Sequence, residues 1–74
     1  MEIKVFSKNN CVQCQMAKRY LEENNVKFTE INIDDNPEYV DYLLDKGYRA
    51  VPVIETPTQA ITGFAPNKLK ELID

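Results

Sequence analysis

Ser7-Lys8-Asn9-Asn10-Cys11-Val12-Gln13-Cys14 follows the run Met1-Glu2-Ile3-Lys4-Val5-Phe6 and leads straight into a helical pattern. A C-x-x-C pair at the opening of a helix has the layout of a disulfide exchanger. The first turn of a helix carries unpaired backbone N–H groups and the positive end of the helix dipole, and both favour a thiolate over a thiol. Cys11 is therefore expected to be the low-pKa, attacking sulfur. Cys14 lies one turn further on, on the same side of the helix, within reach to resolve a mixed disulfide on Cys11. Two other uses of the pair stay open at this point, a zinc half-site and a structural disulfide. Zinc takes four ligands, and a chain with no histidine and only these two cysteines would need a dimer or an external ligand to supply them. An iron-sulfur cluster shared across a dimer is a further alternative.

Length and composition narrow the choice. The 74 residues make one domain, 1–74, close to the lower size at which a single core suffices, so nearly every element has to pack. There is no run of about 18 apolar residues to span a membrane. The sequence opens on a strand pattern rather than on a charged and apolar leader, so the expected location is the cytoplasm. Thiols are kept reduced there, and a purely structural disulfide makes poor sense. A formal net charge of −3 argues against nucleic acid as a partner.

Met1–Phe6 mixes β-branched and aromatic residues and reads as a strand, with Ser7–Asn10 as the turn after it. From Cys11 to about Asn24, a helix places Cys14, Ala17 and Leu21 on one face with Tyr20 beside them, while Lys18, Arg19, Glu22 and Glu23 face outward. Asn24-Asn25 stops it, because Asn tolerates the left-handed conformation used at helix ends. Val26–Ile33 alternates as a second strand, which makes a βαβ unit with parallel strands. Asp34-Asp35-Asn36-Pro37 supplies helix-start chemistry for a second helix to about Lys46, with Val40, Leu43 and Leu44 as its buried stripe, Tyr39 and Tyr42 at the edges and Gly47 just past the end. Val51–Ile54 and Ala60–Thr62 flank a turn at Thr56–Gln59, and strands joined that tightly are antiparallel. Gly63-Phe64-Ala65-Pro66 breaks the chain before a last helix with Leu69, Leu72 and Ile73 facing inward. The order is β-α-β-α-β-β-α, an α/β fold of thioredoxin-like type with a four-stranded mixed sheet flanked by three helices, and C-x-x-C beside a βαβ unit is its redox signal.

With these residues in view, the whole chain resembles the NrdH-redoxins, the glutaredoxin-like hydrogen donors of class Ib ribonucleotide reductases. The resemblance rests on Cys11-Val12-Gln13-Cys14, where most glutaredoxins have Cys-Pro-Tyr-Cys, on the Val51-Pro52 step, and on Gly63-Phe64 followed by Pro66. At the last site that family usually reads Trp-Ser-Gly-Phe-Arg-Pro, and here Ile61, Thr62 and Ala65 replace its Trp, Ser and Arg. What the resemblance implies is a thioredoxin-like activity on a glutaredoxin-like fold. Electrons would come from NADPH through thioredoxin reductase and pass to the large subunit of a class Ib ribonucleotide reductase, in support of deoxyribonucleotide synthesis. The resemblance also implies a redox-active Cys11–Cys14 disulfide, no bound cofactor and no metal, a monomer, and a cis peptide before Pro52 that faces the dithiol. Cys11 would be the nucleophile and Cys14 the resolving thiol. The backbone of Val51 would pair with an extended substrate segment. Val12, Gln13, Gly63 and Phe64 would form the docking rim. Apart from the resemblance, the place of Lys8 in the active-site loop makes it the charge expected to help the thiolate.

Blander readings stand beside these. Phe64 as core, Pro52 as an edge-strand proline, Lys8, Lys18 and Arg19 as solvated charges, and Glu30, Asp34, Asp35, Glu38, Asp41 and Asp45 as a solvated face are all expected of an ordinary domain. A glutathione-dependent glutaredoxin would use the same thiols but needs polar groups for the tripeptide. Phe64, Ala65 and Pro66 occupy the stretch where that family carries a second Gly and acidic residues, although Lys8 and Arg49 could still attract a carboxylate. A non-catalytic iron-sulfur carrier is the remaining class.

Overall fold

Period-two alternation in the short strands sorts the core onto two sides of one sheet. The computed structural model describes residues 2–73, so Met1, expected in the first strand, lies outside the described residues. Strands β1 (Lys4–Ser7), β2 (Thr29–Asn32), β3 (Val53–Glu55) and β4 (Ala60–Thr62) alternate with helices α1 (Val12–Glu23), α2 (Glu38–Asp45) and α3 (Pro66–Leu69), and a 3₁₀ turn at Lys70–Leu72 extends α3. The sheet order is β2-β1-β3-β4, with β1 parallel to β2 and antiparallel to β3, and β3 antiparallel to β4. This is the expected thioredoxin-like α/β architecture.

Val5, Ile54 and Ile61 lie in one row across the sheet, since Val5 pairs with Ile54 and Ile54 with Ile61. They pack with Ala17 and Leu21 of α1 and with Leu69 and Leu72 at the C-terminal end. Phe6 and Val53 occupy the other face, beneath Leu43, Tyr39 and Tyr42 of α2. Val5, Val53, Ile54, Leu21 and Leu69 are wholly inaccessible. Each Leu or Ile buried in this way stabilises the fold by roughly 1.5–3 kcal/mol before the entropy of ordering it.

Several boundaries differ from the sequence expectation. Ser7 is the last residue of β1 rather than turn, because it pairs with Asn32 and its hydroxyl donates to Glu30 at 2.7 Å. The second strand starts at Thr29, not Val26, because Val26 N–H is already spent on Leu21 O at 2.9 Å. Together with the bond from Asn25 N–H to Glu22 O and a φ of 60° at Asn25, that contact ends α1 in a Schellman motif. Gly47 (φ 88°) closes α2 in the same way, with Tyr48 N–H on Leu43 O. The third strand starts at Val53 rather than Val51, since Pro52 has no N–H to offer a ladder.

The largest correction concerns α2. Of its expected stripe only Leu43 is buried, while Val40 is 38% and Leu44 52% exposed. The helix instead turns its tyrosines inward, stacking Tyr39 and Tyr42 on Phe6 at ring-centroid distances of 5.6 and 5.7 Å. Two rings cover Phe6 with more area than Val40 and Leu44 would, and the Tyr42 hydroxyl still finds a partner in the Glu55 carboxylate at 2.8 Å. Ile73, expected on the inner face of the last helix, comes after the 3₁₀ turn in extended conformation.

Candidate active site

The dithiol is presented by a left-handed residue. Asn10 has φ 57°, a conformation Asn tolerates better than most side chains, and it turns the chain from β1 into α1. Cys11 comes next as the N-cap of α1 with extended backbone (φ −111°, ψ 103°), and Cys14 N–H donates to Cys11 Sγ at 3.1 Å. A sulfur thus takes the place that a Ser, Thr, Asn or Asp oxygen usually fills, and a thiolate there receives both a backbone donor and the helix dipole. Cys11, expected as the first residue of the helix, stands one position earlier as its N-cap, and that place gives it the donor. Cys11 and Cys14 are joined as a disulfide with Cα atoms 5.2 Å apart, an ordinary span for such a bond. Cys14 is 1% exposed and Cys11 8%, so Cys11 is the more accessible of the two residues.

Three segments meet at the pair. The Val51–Pro52 peptide is cis, Pro52 is buried, and the Val51 carbonyl oxygen lies 4.0 Å from Cys11 Sγ. Gly63 (φ 73°) donates its N–H to Pro52 O at 2.8 Å, which carries the β3–β4 pairing up to the dithiol. Gln13 Oε1 accepts from Phe64 N–H at 3.4 Å, tying the first turn of α1 to the same corner. Among the described residues, Val51 N–H and C=O take no backbone partner. An extended segment laid against Val51 would therefore find an unpaired donor and acceptor next to the sulfur.

The other expected site residues sit around this corner in different ways. Val12 is 73% exposed beside Cys11. The Phe64 ring is partly buried, meeting Tyr20 edge-on at 6.3 Å and packing on the α1 side of the core, so its backbone rather than its whole ring faces the dithiol. Lys8 lines a groove of about 100 Å³ together with Val40, Leu43, Leu44, Tyr48, Arg49 and Val51. A second depression, of about 500 Å³, is lined by Gln13, Arg49, Val51, Thr62 and Gly63. Arg49 borders both grooves.

The expected acidic face splits into two kinds of residue. Glu30 accepts from Lys18 Nζ at 2.6 Å and from Ser7 Oγ at 2.7 Å, and these two hydrogen bonds hold its carboxyl below the usual carboxylate range. Asp34 accepts from Asn9 N–H at 2.8 Å instead of capping α2, whose N-cap is Pro37 without a side-chain bond. Asp35, Glu38, Asp41 and Asp45 are exposed. The sequence reading missed the cross-links from Asn32 and Asp34 to the dithiol loop, and the only signal for them was the density of Asn and Asp in two turns far apart in the chain. Among the described residues, no three His, Cys, Asp or Glu side chains gather into a group that could hold a metal ion. No helix among them is long and apolar enough to cross a membrane.

Comparison with known proteins agrees with this geometry. The family model described as glutaredoxin matches residues 3–61. The glutaredoxin-like protein NrdH of Lactococcus lactis subsp. cremoris is 47% identical over 70 residues, covering 95% of this chain and 97% of that protein. The protein of the same name from Salmonella typhimurium is 35% identical over 72 residues, covering 97% and 89%. Among solved structures, the glutaredoxin-like NrdH-redoxin of Escherichia coli, described as having a thioredoxin-like activity profile, is similar with a TM-score of 0.95 and 34% identity. It covers 100% of this chain and 97% of that one.

Proposed function

The chain belongs to the glutaredoxin family, among its glutaredoxin-like NrdH proteins, and from that membership we propose that it carries electrons from thioredoxin reductase to the disulfide of a class Ib ribonucleotide reductase. It is a dithiol-disulfide oxidoreductase whose redox centre is the Cys11–Cys14 pair. In the reduced protein the Cys11 thiolate attacks one sulfur of the partner's disulfide, forming a mixed disulfide and expelling the other sulfur as a thiolate that takes up a proton. Cys14, deprotonated, then attacks Cys11 Sγ, which releases the partner's second thiol and closes the Cys11–Cys14 disulfide. Two electrons have passed to the partner. Thioredoxin reductase returns them from NADPH by the same exchange in reverse.

The observation that carries this reading is the Cys11 sulfur at the head of α1, in contact range of a Val51 backbone left free to pair. A partner strand added at Val51 would bring its disulfide to Cys11, with main-chain hydrogen bonds giving register and Val12, Gln13, Gly63 and the exposed part of Phe64 excluding water at the rim. Lys8, which lines the same groove as Val51, would meet a carboxylate of the docked segment. The protein would do this as a monomer in the reducing cytoplasm, with no cofactor of its own.

The segment after β4 disfavours a glutathione site. Ala65 caps α3 without a side-chain bond, Pro66 has no N–H, and the first turn of α3 has no acidic residue to meet a glutathione amine. The test is a pair of coupled assays on the oxidised protein, one with NADPH and thioredoxin reductase, the other with NADPH, glutathione and glutathione reductase. Fast NADPH consumption is expected in the first. Fast reduction by glutathione with little response to thioredoxin reductase would move the protein to the glutathione-dependent class.

A further inference from the structure

The loop that presents Cys11 is gripped by side chains that the exchange chemistry does not use. Asn9 N–H donates to Asp34 Oδ2 at 2.8 Å, and Asn32 Nδ2 donates to Asn9 Oδ1 at 3.0 Å. Asn32 Oδ1 also accepts Asp34 N–H at 2.8 Å, so the residue that holds the Asn9 side chain orients the residue that holds its backbone. The turn supplying these groups is itself fixed, with Asn36 N–H and Asn36 Nδ2 both donating to Asn32 O, at 3.0 and 2.9 Å. Asn9 is thus clamped at main chain and side chain by a turn 23 to 25 positions away in sequence.

Asn10 and Cys11 follow directly on the clamped residue. Asn10 sits at φ 57°, a left-handed conformation that Asn tolerates but that competes with its ordinary negative-φ conformations once the turn is released. Cys11 is next, and its extended backbone is what lets Sγ accept Cys14 N–H. If Asn9 is released, the Asn9–Asn10 turn samples other conformations and Cys11 spends less time aimed at an incoming disulfide.

We propose that Asn32 and Asp34 are positioning residues for Cys11, acting through Asn9 to hold the dithiol loop in its reactive conformation. The proposal rests on the reading of Cys11 as the attacking sulfur. Geometry rather than charge is at stake, because an amide oxygen can accept the Asn9 N–H as a carboxylate does.

The experiment compares the reduced wild-type protein with Asp34→Ala, Asp34→Asn, Asn32→Ala and the double Asn32→Ala/Asp34→Ala variant. Two quantities are read, the single-turnover rate with 5,5′-dithiobis(2-nitrobenzoate) and the hydrogen-exchange rate of the Asn9 amide. Asp34→Ala should slow the thiol reaction about three- to tenfold, the range of one ordinary hydrogen bond, and should deprotect Asn9. Asp34→Asn should stay within about twofold of wild type on both readouts, because it keeps the acceptor. The double variant should be no slower than the worse single one, because both residues act on the same segment. Denaturation midpoints measured alongside separate loop release from unfolding, and Asn32→Ala carries the test if Asp34→Ala folds poorly. Wild-type rates in Asp34→Ala and Asn32→Ala, or equal slowing in Asp34→Asn and Asp34→Ala, would overturn the proposal. Failure of the underlying reading looks different: the wild-type protein would react no faster than its Cys11→Ser variant, which overturns both.

Discussion

Phe64→Ala separates packing from the proposed docking role at an aromatic residue beside the dithiol corner. The Phe64 ring leans on Tyr20 at 6.3 Å and on the core side that holds Ile3, Leu69 and Leu72, while its N–H reaches Gln13 Oε1. Truncating a fully buried Phe costs about 3–5 kcal/mol. Phe64 is only partly buried, so the expected loss is about 2 kcal/mol, of which the edge-on pair with Tyr20 supplies roughly 0.5–1.5 kcal/mol. For a domain of this size that lowers Tm by roughly 8–16 °C. The assay is urea denaturation of the oxidised protein, with the Tyr20→Ala single and double variants completing a cycle. Initial rates of protein-disulfide reduction are then taken well below the lowered Tm. KM should rise severalfold with little change in kcat, because the variant keeps the main-chain bond to Gln13 and both sulfurs. A stability loss under about 0.5 kcal/mol would refute the packing argument, since it would mean the ring stands free.

Other parts of the structure set two further outcomes. The Glu30 carboxyl is held below its ordinary range by Lys18 and Ser7, so its contribution to stability is present above the unfolded-state pKa and is lost as pH falls through the depressed folded value. Its side chain is 39% exposed, so that contribution is under about 1 kcal/mol, and Glu30→Gln should flatten the acid limb of a stability-against-pH curve; parallel curves for the two proteins would contradict this. Gly47→Ala and Gly63→Ala should cost nearly the same stability, about 1–2 kcal/mol each, because both residues have positive φ and neither new methyl meets anything closer than Gln13 Oε1 at 3.6 Å from Gly63. A loss at Gly63 much larger than at Gly47 in chemical denaturation would show that the corner beside Gln13 is tighter than its geometry indicates.

How much could be read from the sequence depended on the kind of interaction. The face of α1 was legible because Cys14, Ala17 and Leu21 repeat at helical spacing with charged residues between them, and all three are buried. The face of α2 was not, because Tyr39 and Tyr42 are amphipathic and count as neither stripe nor surface until it is known that Phe6 needs covering. Strand starts were blurred where a helix cap or a proline removed donors from the ladder, as at Val26 and Pro52. The two sulfurs were legible from their spacing alone. The N-cap position of Cys11 needed the φ of Asn10, and the clamp on Asn9 needed a contact between turns that only the folded chain brings together.

The proposed division of labour, in which Cys11 attacks and Cys14 resolves, underlies everything else, and trapping tests it most directly. Reduced Cys14→Ser protein, offered a disulfide-bonded partner, should accumulate a one-to-one covalent adduct that peptide mapping places on Cys11. Cys11→Ser should neither reduce the partner nor form the adduct at a comparable rate, because the remaining cysteine, Cys14, is 1% exposed. An adduct on Cys14 that forms in Cys11→Ser as fast as the Cys11 adduct forms in Cys14→Ser would contradict the account.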